Sequence, residues 1–211
     1  MKIRTQIILP FLLLMVILGV VGTYLTTSLV ATSLEERIGE QLVQSQNSSL
    51  DAAVKLQGRQ VAGLRLIANT EGVDQAVRST DVTALKQLLV PIEVNNRLGT
   101  VIVFDLHGRS MLEIDQPDSS NPSGLVFKSG TDLSQDAVVK PILDGSYDGL
   151  GDKYIGYEGN PVASLGAAGP ILAGDRVVGG VLLQTPVPAL LSEMKIKSQA
   201  QVILLDQAGR L

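Results

Sequence analysis

Residues 7 to 30 form a run of 24 without a single charge. This run restricts what the chain can fold into more than any other feature. As a helix it is long enough to cross the roughly 30 Å hydrocarbon core of a bilayer. Lys2 and Arg4 precede it, and Glu35, Glu36 and Arg37 follow it. The excess of positive charge on the N-terminal side predicts that this end stays in the cytoplasm, which puts the remainder outside the cell membrane. A cleaved signal peptide is the rival reading. The run exceeds a usual signal core, and Ser28 to Ala31 is a poor cleavage site, so an uncleaved anchor is expected. Pro10 falls in the first turns, where its missing N–H costs least.

From Thr32 to Ala68 there is neither a proline nor an Asn-Gly or Asp-Gly turn. Apolar residues recur at Leu34, Ile38, Leu42, Leu50, Val54, Val61, Leu64 and Ile67, mostly three, four or seven apart, which predicts an amphipathic helix. Its stripe can bury against its own domain or against a partner helix. The polar stretch Gln44 to Ser49 interrupts it, and Gly58 and Gly63 lower helix propensity by roughly 1 kcal/mol each. Glu71-Gly72 ends or kinks this helix. Ser79, Thr80 and Asp81 then offer N-caps for a second one, which carries Leu85, Leu88, Leu89 and Ile92 to about Arg97, with Pro91 near its last turns.

The texture changes at Leu98-Gly99. Residues 100–104 are β-branched and aromatic and predict a strand. Asp105 to Arg109 is a tight turn with Gly108 supplying positive φ, and Ser110 to Ile114 returns. Residues 115–135 read as a loop, and Gln135 to Leu143 as a short helix interrupted at Pro141. Further strands are predicted over 153–157, 162–167 and 177–184. Helices first, then a five-strand meander with a helical insertion, make an α+β domain. One face of its antiparallel sheet is expected against the long helix. The other is expected to form a pocket under residues 115–150.

The stretch VIVFDLHGRSML (101–112) has an echo in QVILLDQAGR (201–210), with Val, Ile, Asp, Gly and Arg coinciding in place. A second copy of the sheet is expected to begin near Ala200, linked by a helix over Pro188 to Ser198. The anchor, the long helix, these two segments, GDKYIGY (151–157) and GPILAGDRVVGGVLLQTPVPALL (169–191) together resemble the double Cache sensor family of bacterial receptors. The resemblance covers nearly the whole chain and implies two PAS-like modules in tandem outside the inner membrane, the distal one binding a small molecule. The expected division is 1–31 cytoplasmic end and membrane helix, 32–97 helices, 98–187 distal PAS-like module, and 188–211 linker helix and first strand of a truncated second module. The resemblance also implies an output that lies beyond this chain: a histidine kinase, nucleotide cyclase, diguanylate cyclase or chemoreceptor coil. A homodimer through the long helix goes with it. The amino-acid-binding subset of the family closes its last sheet strand with an Asp, where this chain has Gln184, and it uses a Trp, which this chain lacks.

Composition removes most other classes. Net charge is −4, and no basic tract with interleaved aromatics supports nucleic-acid binding. No cysteine and one histidine, His107 in a hairpin turn, leave no nucleophile–base pair, so no catalytic residue is expected in this chain. No cofactor is expected. Asp144-x-Ser146-x-Asp148-Gly149-x-x-Asp152 resembles half an EF-hand loop, but Ile155 stands where the bidentate Glu is required, so no metal site is expected. Tyr154 and Tyr157 are the candidate ligand contacts, because each joins an apolar ring to a polar tip. Lys153, Asp152, Ser164 and Gln184 are candidate polar contacts beside them. The alternative is a membrane-tethered module that pairs with another protein through its long helix.

Overall fold

The computed structural model describes residues 2–116, 124–146, 153–158, 163–198 and 201–203; of residues 2–12, 31, 32 and 34–36 it describes the backbone alone. The chain divides into two compact units, Met1–Ser48 and Ser49–Leu211. Helix α1 (Lys2–Ala68) belongs to both. In the first unit, Leu13–Val30 is long and apolar enough to cross a membrane, with a mean hydropathy of 2.1, and its large apolar side chains are exposed. Thr23, Thr26 and Thr27 donate their hydroxyls to the carbonyls four residues back, which satisfies these polar groups within the helix itself.

The second unit is α+β, as expected. After α1 come α2 (Val73–Arg78), α3 (Val82–Asn96), strands β1 (Thr100–Phe104), β2 (Ser110–Asp115) and β3 (Val126–Lys128), α4 (Lys140–Leu143), β4 (Tyr154–Glu158), β5 (Ser164–Ala173), β6 (Arg176–Pro186) and α5 (Val187–Ser198). The sheet has six antiparallel strands in the order β3-β2-β1-β6-β5-β4, one more than the meander read from the sequence. The extra strand, β3, is three exposed residues at an edge, too short for a periodic signal. The helix expected over 135–143 shrinks to α4, in which Pro141 takes a first-turn position where its missing N–H leaves no helical bond unmade. Gln201–Ile203 carry no strand, and the remainder of the expected second module lies outside the described residues.

Both sheet faces are covered, by different means. On the inner face, Val101, Val103, Leu112, Ile114, Val181 and Leu183 meet Leu64 and Ile67 of α1, Val73 and Val77 of α2, and Leu85 and Leu89 of α3. On the outer face, Ile102, Phe104, Ala168 and Leu182 lie under Leu133, Val138, Val139 and Ile142. A third cluster joins Ala52 and Leu56 of α1 to Leu165, Leu190 and Met194, so α5 packs beside α1. The Arg59–Glu193 ion pair at 2.6 Å borders it, and its exposure makes it worth little. The buried stripe of α1 is therefore Ala52, Leu56, Gln60, Leu64 and Ile67. Leu50 and Val54, expected on the same stripe, are exposed. The spacing was helical, but it mixed two faces.

Local chemistry sets the boundaries. Asp81 caps α3, accepting from the N–H groups of Thr83 and Ala84 at 3.0 Å each. Pro91 lies inside α3, which continues to a left-handed Arg97 (φ 51°). The chain then turns through Gly99 (φ 92°) into β1. Glu93 fastens this turn. It is fully buried, and its carboxylate accepts from the N–H groups of Leu98 (3.2 Å) and Gly99 (3.3 Å). Burial pushes its carboxyl up to about 7; the bonds from Gly99 and then Leu98 pull the other way, and the Asp115 charge adds a smaller upward push.

This packing has two measurable consequences. A carboxyl that binds its proton more tightly when folded contributes most below its unfolded pKa, and that contribution is lost as pH rises to about 7. Unfolding stability should thus fall between about pH 4.5 and 7 by a few kcal/mol, and Glu93→Gln should flatten that slope in chemical denaturation at a series of pH values. The second concerns Gly180, where an added Cβ would overlap the Phe104 ring and lie 3.0 Å from the Gly169 oxygen. Gly180→Ala should cost roughly 1–3 kcal/mol in the same assay.

Candidate functional site

Strand alternation decides which residues can meet a ligand. The pairing registers place Asp115, Thr100, Gln184, Gly166 and Gly156 in one row across β2, β1, β6, β5 and β4, all on the outer face. The row crosses four strand spacings, about 19 Å. The adjacent row is Glu113, Ile102, Leu182, Ala168 and Tyr154. The outer face thus grades from apolar, where α4 covers Ile102 and Phe104, to polar at the other end of the strands. The two glycines leave the β5–β4 part of the polar row without side chains.

The polar groups here are ordered by one another. Thr100 donates its hydroxyl to Asp115 at 3.1 Å. Ser110 donates to the buried Glu113 at 2.5 Å and accepts from the Thr131 N–H at 2.8 Å. Thr100, Asp115 and Gln184 are half-buried, so part of each residue remains open on this face. A floor with one carboxylate, one hydroxyl and one amide can orient a small polar molecule by hydrogen bonds.

The structure sorts the residues anticipated from sequence. Tyr154, Ser164 and Gln184 fall on the outer face together. Tyr157 does not: it stands opposite Leu165 on the other face of β4 and is 65% exposed, because three residues along a strand reverse the side. Lys153 is buried just before β4, and Lys153, Ser164 and Gln184 are all engaged within the structure. Asp152 lies outside the described residues. His107 is exposed, 3.7 Å from Asp105. Thr100, Asp115 and Glu113 were not anticipated; the alternation of Glu113 and Asp115 within an apolar strand was the available signal.

A separate cavity of about 110 Å³ lies at the opposite end of β1, among Phe104, Leu106, Ile142, Leu143, Val177 and neighbouring glycines. None of the anticipated residues lines it. Its side chains are all apolar, so they can hold but not orient a polar ligand.

Comparison with known proteins agrees with this architecture. No protein of curated function matches the sequence. Among solved structures, the domain of a sensory box/GGDEF family protein from Vibrio parahaemolyticus superposes with a TM-score of 0.56 at 16% identity, covering 74% of this chain and 62% of that one. The sensor domain of the V. cholerae histidine kinase DctB gives 0.56 at 12%, covering 74% and 58%. The sensory domain of the Campylobacter jejuni chemoreceptor Tlp3, with isoleucine bound, gives 0.52 at 13%, covering 81% and 66%. At these identities the likeness is one of fold, and the chain spans less than two thirds of the length of each. A double Cache family, described as the double sensory domain of two-component sensor kinases, matches residues 35–211. With the helix-backed antiparallel sheet, that match over most of the sequence makes this chain a member of the double sensory domain family.

Proposed function

We propose that the chain is the anchor and extracytoplasmic sensing module of a membrane receptor, and that a small polar molecule binds on the outer face of its sheet. The observation that carries this reading is the row Asp115–Thr100–Gln184, half-buried polar groups aligned across three strands beside two glycines. Tyr154 and Ser164 border that row on the same face. Lys153 immediately precedes β4 and belongs to the proposed rim, and Tyr157 serves the strand's other side. The isoleucine carried by the Tlp3 relative supports a ligand of amino-acid size. The charge asymmetry around residues 7–30 supports a cytoplasmic N-terminus. Residues 98–187 are then the distal module, 188–211 open the next one, and the output, a kinase or a nucleotide or diguanylate cyclase among the options, belongs to the larger receptor.

A thermal-shift screen of amino acids, amines and small carboxylic acids tests the site. A ligand at about 100 times its Kd should stabilise the fold by about 2.7 kcal/mol. Gln184→Leu and Asp115→Asn should abolish that shift while leaving the unliganded melting temperature within a few degrees. A ligand whose shift survives both substitutions binds elsewhere, and a screen without any shift removes the reading.

A second reading rests on the exposed apolar residues of α1. Leu50 and Val54 are 55% and 66% exposed in the sensory unit, and Ile38 and Leu42 are 52% and 66% exposed in the first unit. Exposed apolar positions on a long helix favour pairing with a second copy. Leu50→Lys with Val54→Lys should convert a dimer to a monomer in light scattering without lowering the melting temperature. Unchanged mass would exclude this helix as the contact.

A further inference from the structure

Gln60 stands in the middle of the buried α1 stripe, between Leu56 and Leu64, at 2% exposure. Its side-chain amide donates to the Leu165 carbonyl at 3.0 Å and to the Thr185 hydroxyl at 2.9 Å. Its Oε1 is buried without a protein partner among the described residues. A leucine would fill this position with no polar group to satisfy, and a buried unpaired acceptor costs roughly 1–3 kcal/mol. Packing alone therefore does not account for Gln60.

The two groups it holds are informative. Leu165 and Thr185 are register partners on β5 and β6, and both face α1. Their chain neighbours Gly166 and Gln184 are register partners on the outer face, in the polar row. Gly99 abuts the same place, since a Cβ there would come within 2.8 Å of the Gln184 carbonyl. Gly63, one turn beyond Gln60, lets the Leu98 side chain reach the helix, where a Cβ would overlap it. Helix α1 is thus held by directional bonds to the backbone and hydroxyl lying directly behind the polar row. Apolar contacts tolerate a sliding or rotating helix, whereas a pair of hydrogen bonds to fixed positions does not.

We infer that Gln60 is the coupling residue of the sensory unit, which ties the register of α1 to the positions of β5 and β6, so that a molecule seated on the outer face shifts the helix through the Leu165 carbonyl and the Thr185 hydroxyl. This inference rests on the outer-face reading above. The ligand must alter this contact differently in two states, because only a differential interaction moves an equilibrium.

The chain has no cysteine, so one introduced thiol can be modified alone. Thr100→Cys in the full chain, in nanodiscs, is labelled with methanethiosulfonate ethylammonium as a tethered occupant of the outer face. Amide hydrogen exchange is read over residues 56–67. Labelling should change exchange there by about threefold or more in the parent and in Thr185→Ser, which keeps the hydroxyl. It should leave exchange there unchanged in Gln60→Leu and in Thr185→Val. The valine variant is nearly isosteric and guards against a folding defect in Gln60→Leu. An equal response in all four backgrounds overturns the coupling role of Gln60 and leaves the outer-face site standing. No response in the parent also overturns it, and the metabolite screen then decides the site separately.

Discussion

The antiparallel pairing of β1 with β6 is the contact on which the rest of the sensory unit depends. It joins two hairpins whose strands are some 80 residues apart in the chain, Thr100 opposite Gln184 and Phe104 opposite Gly180. Closing so long a loop is costly before any contact repays it. The return comes on both faces at once: Val101, Val103, Val181 and Leu183 inward, Ile102, Phe104 and Leu182 outward, all buried. Glycine makes the close approach possible. At Gly179 a Cβ would overlap the Phe104 carbonyl, and at Gly180 it would overlap the ring of the same residue.

The same pairing creates the polar row, since Thr100 and Gln184 meet only when β1 lies against β6. Behind it, two buried polar side chains from different helices converge. Glu93 grips the turn that enters β1, and Gln60 grips β5 and β6. Each costs stability compared with an apolar residue, and each fixes a geometry that apolar packing leaves loose. The end of the sheet that carries the polar row is thereby held in register with its helices, while the other end is covered by Phe104 and the segment around α4, which line the small apolar cavity.

Much of this was legible in the sequence, and the failures have physical reasons. The 24-residue uncharged run, the long helix to Ala68 and the hairpin at Gly108 each carry a strong local signal and appear as helix, helix and hairpin, and of the three cap candidates Ser79, Thr80 and Asp81 it is Asp81 that caps α3. Strand β3 was missed because three exposed residues have no period. Leu50 and Val54 were read on one stripe with Leu64 and Ile67, against the domain or a partner helix, but they lie two residues, about 200° around the helix, from the buried Ala52 and Leu56. Tyr157 was grouped with Tyr154 by sequence proximity, although an odd separation along a strand sends them to opposite sides. The polar row depends on partners 15 to 84 residues apart, and no window along the chain contains it. Gln60 and Glu93 were visible only as polar interruptions at helical spacing, Leu56–Gln60–Leu64 and Leu85–Leu89–Glu93.

The family match and the fold together assign a sensory role, and the outer-face row is the proposed place of sensing. Amide chemical-shift mapping on the isotopically labelled chain tests this most directly, with titration by a mixture of amino acids and small carboxylic acids. The largest changes are expected at the N–H groups of Thr100, Asp115, Gly166 and Gln184, with smaller ones at Thr185 and along α1 from Leu56 to Ile67. Changes centred instead on Phe104, Ile142 and Val177, or on the exposed face of α1, would contradict it.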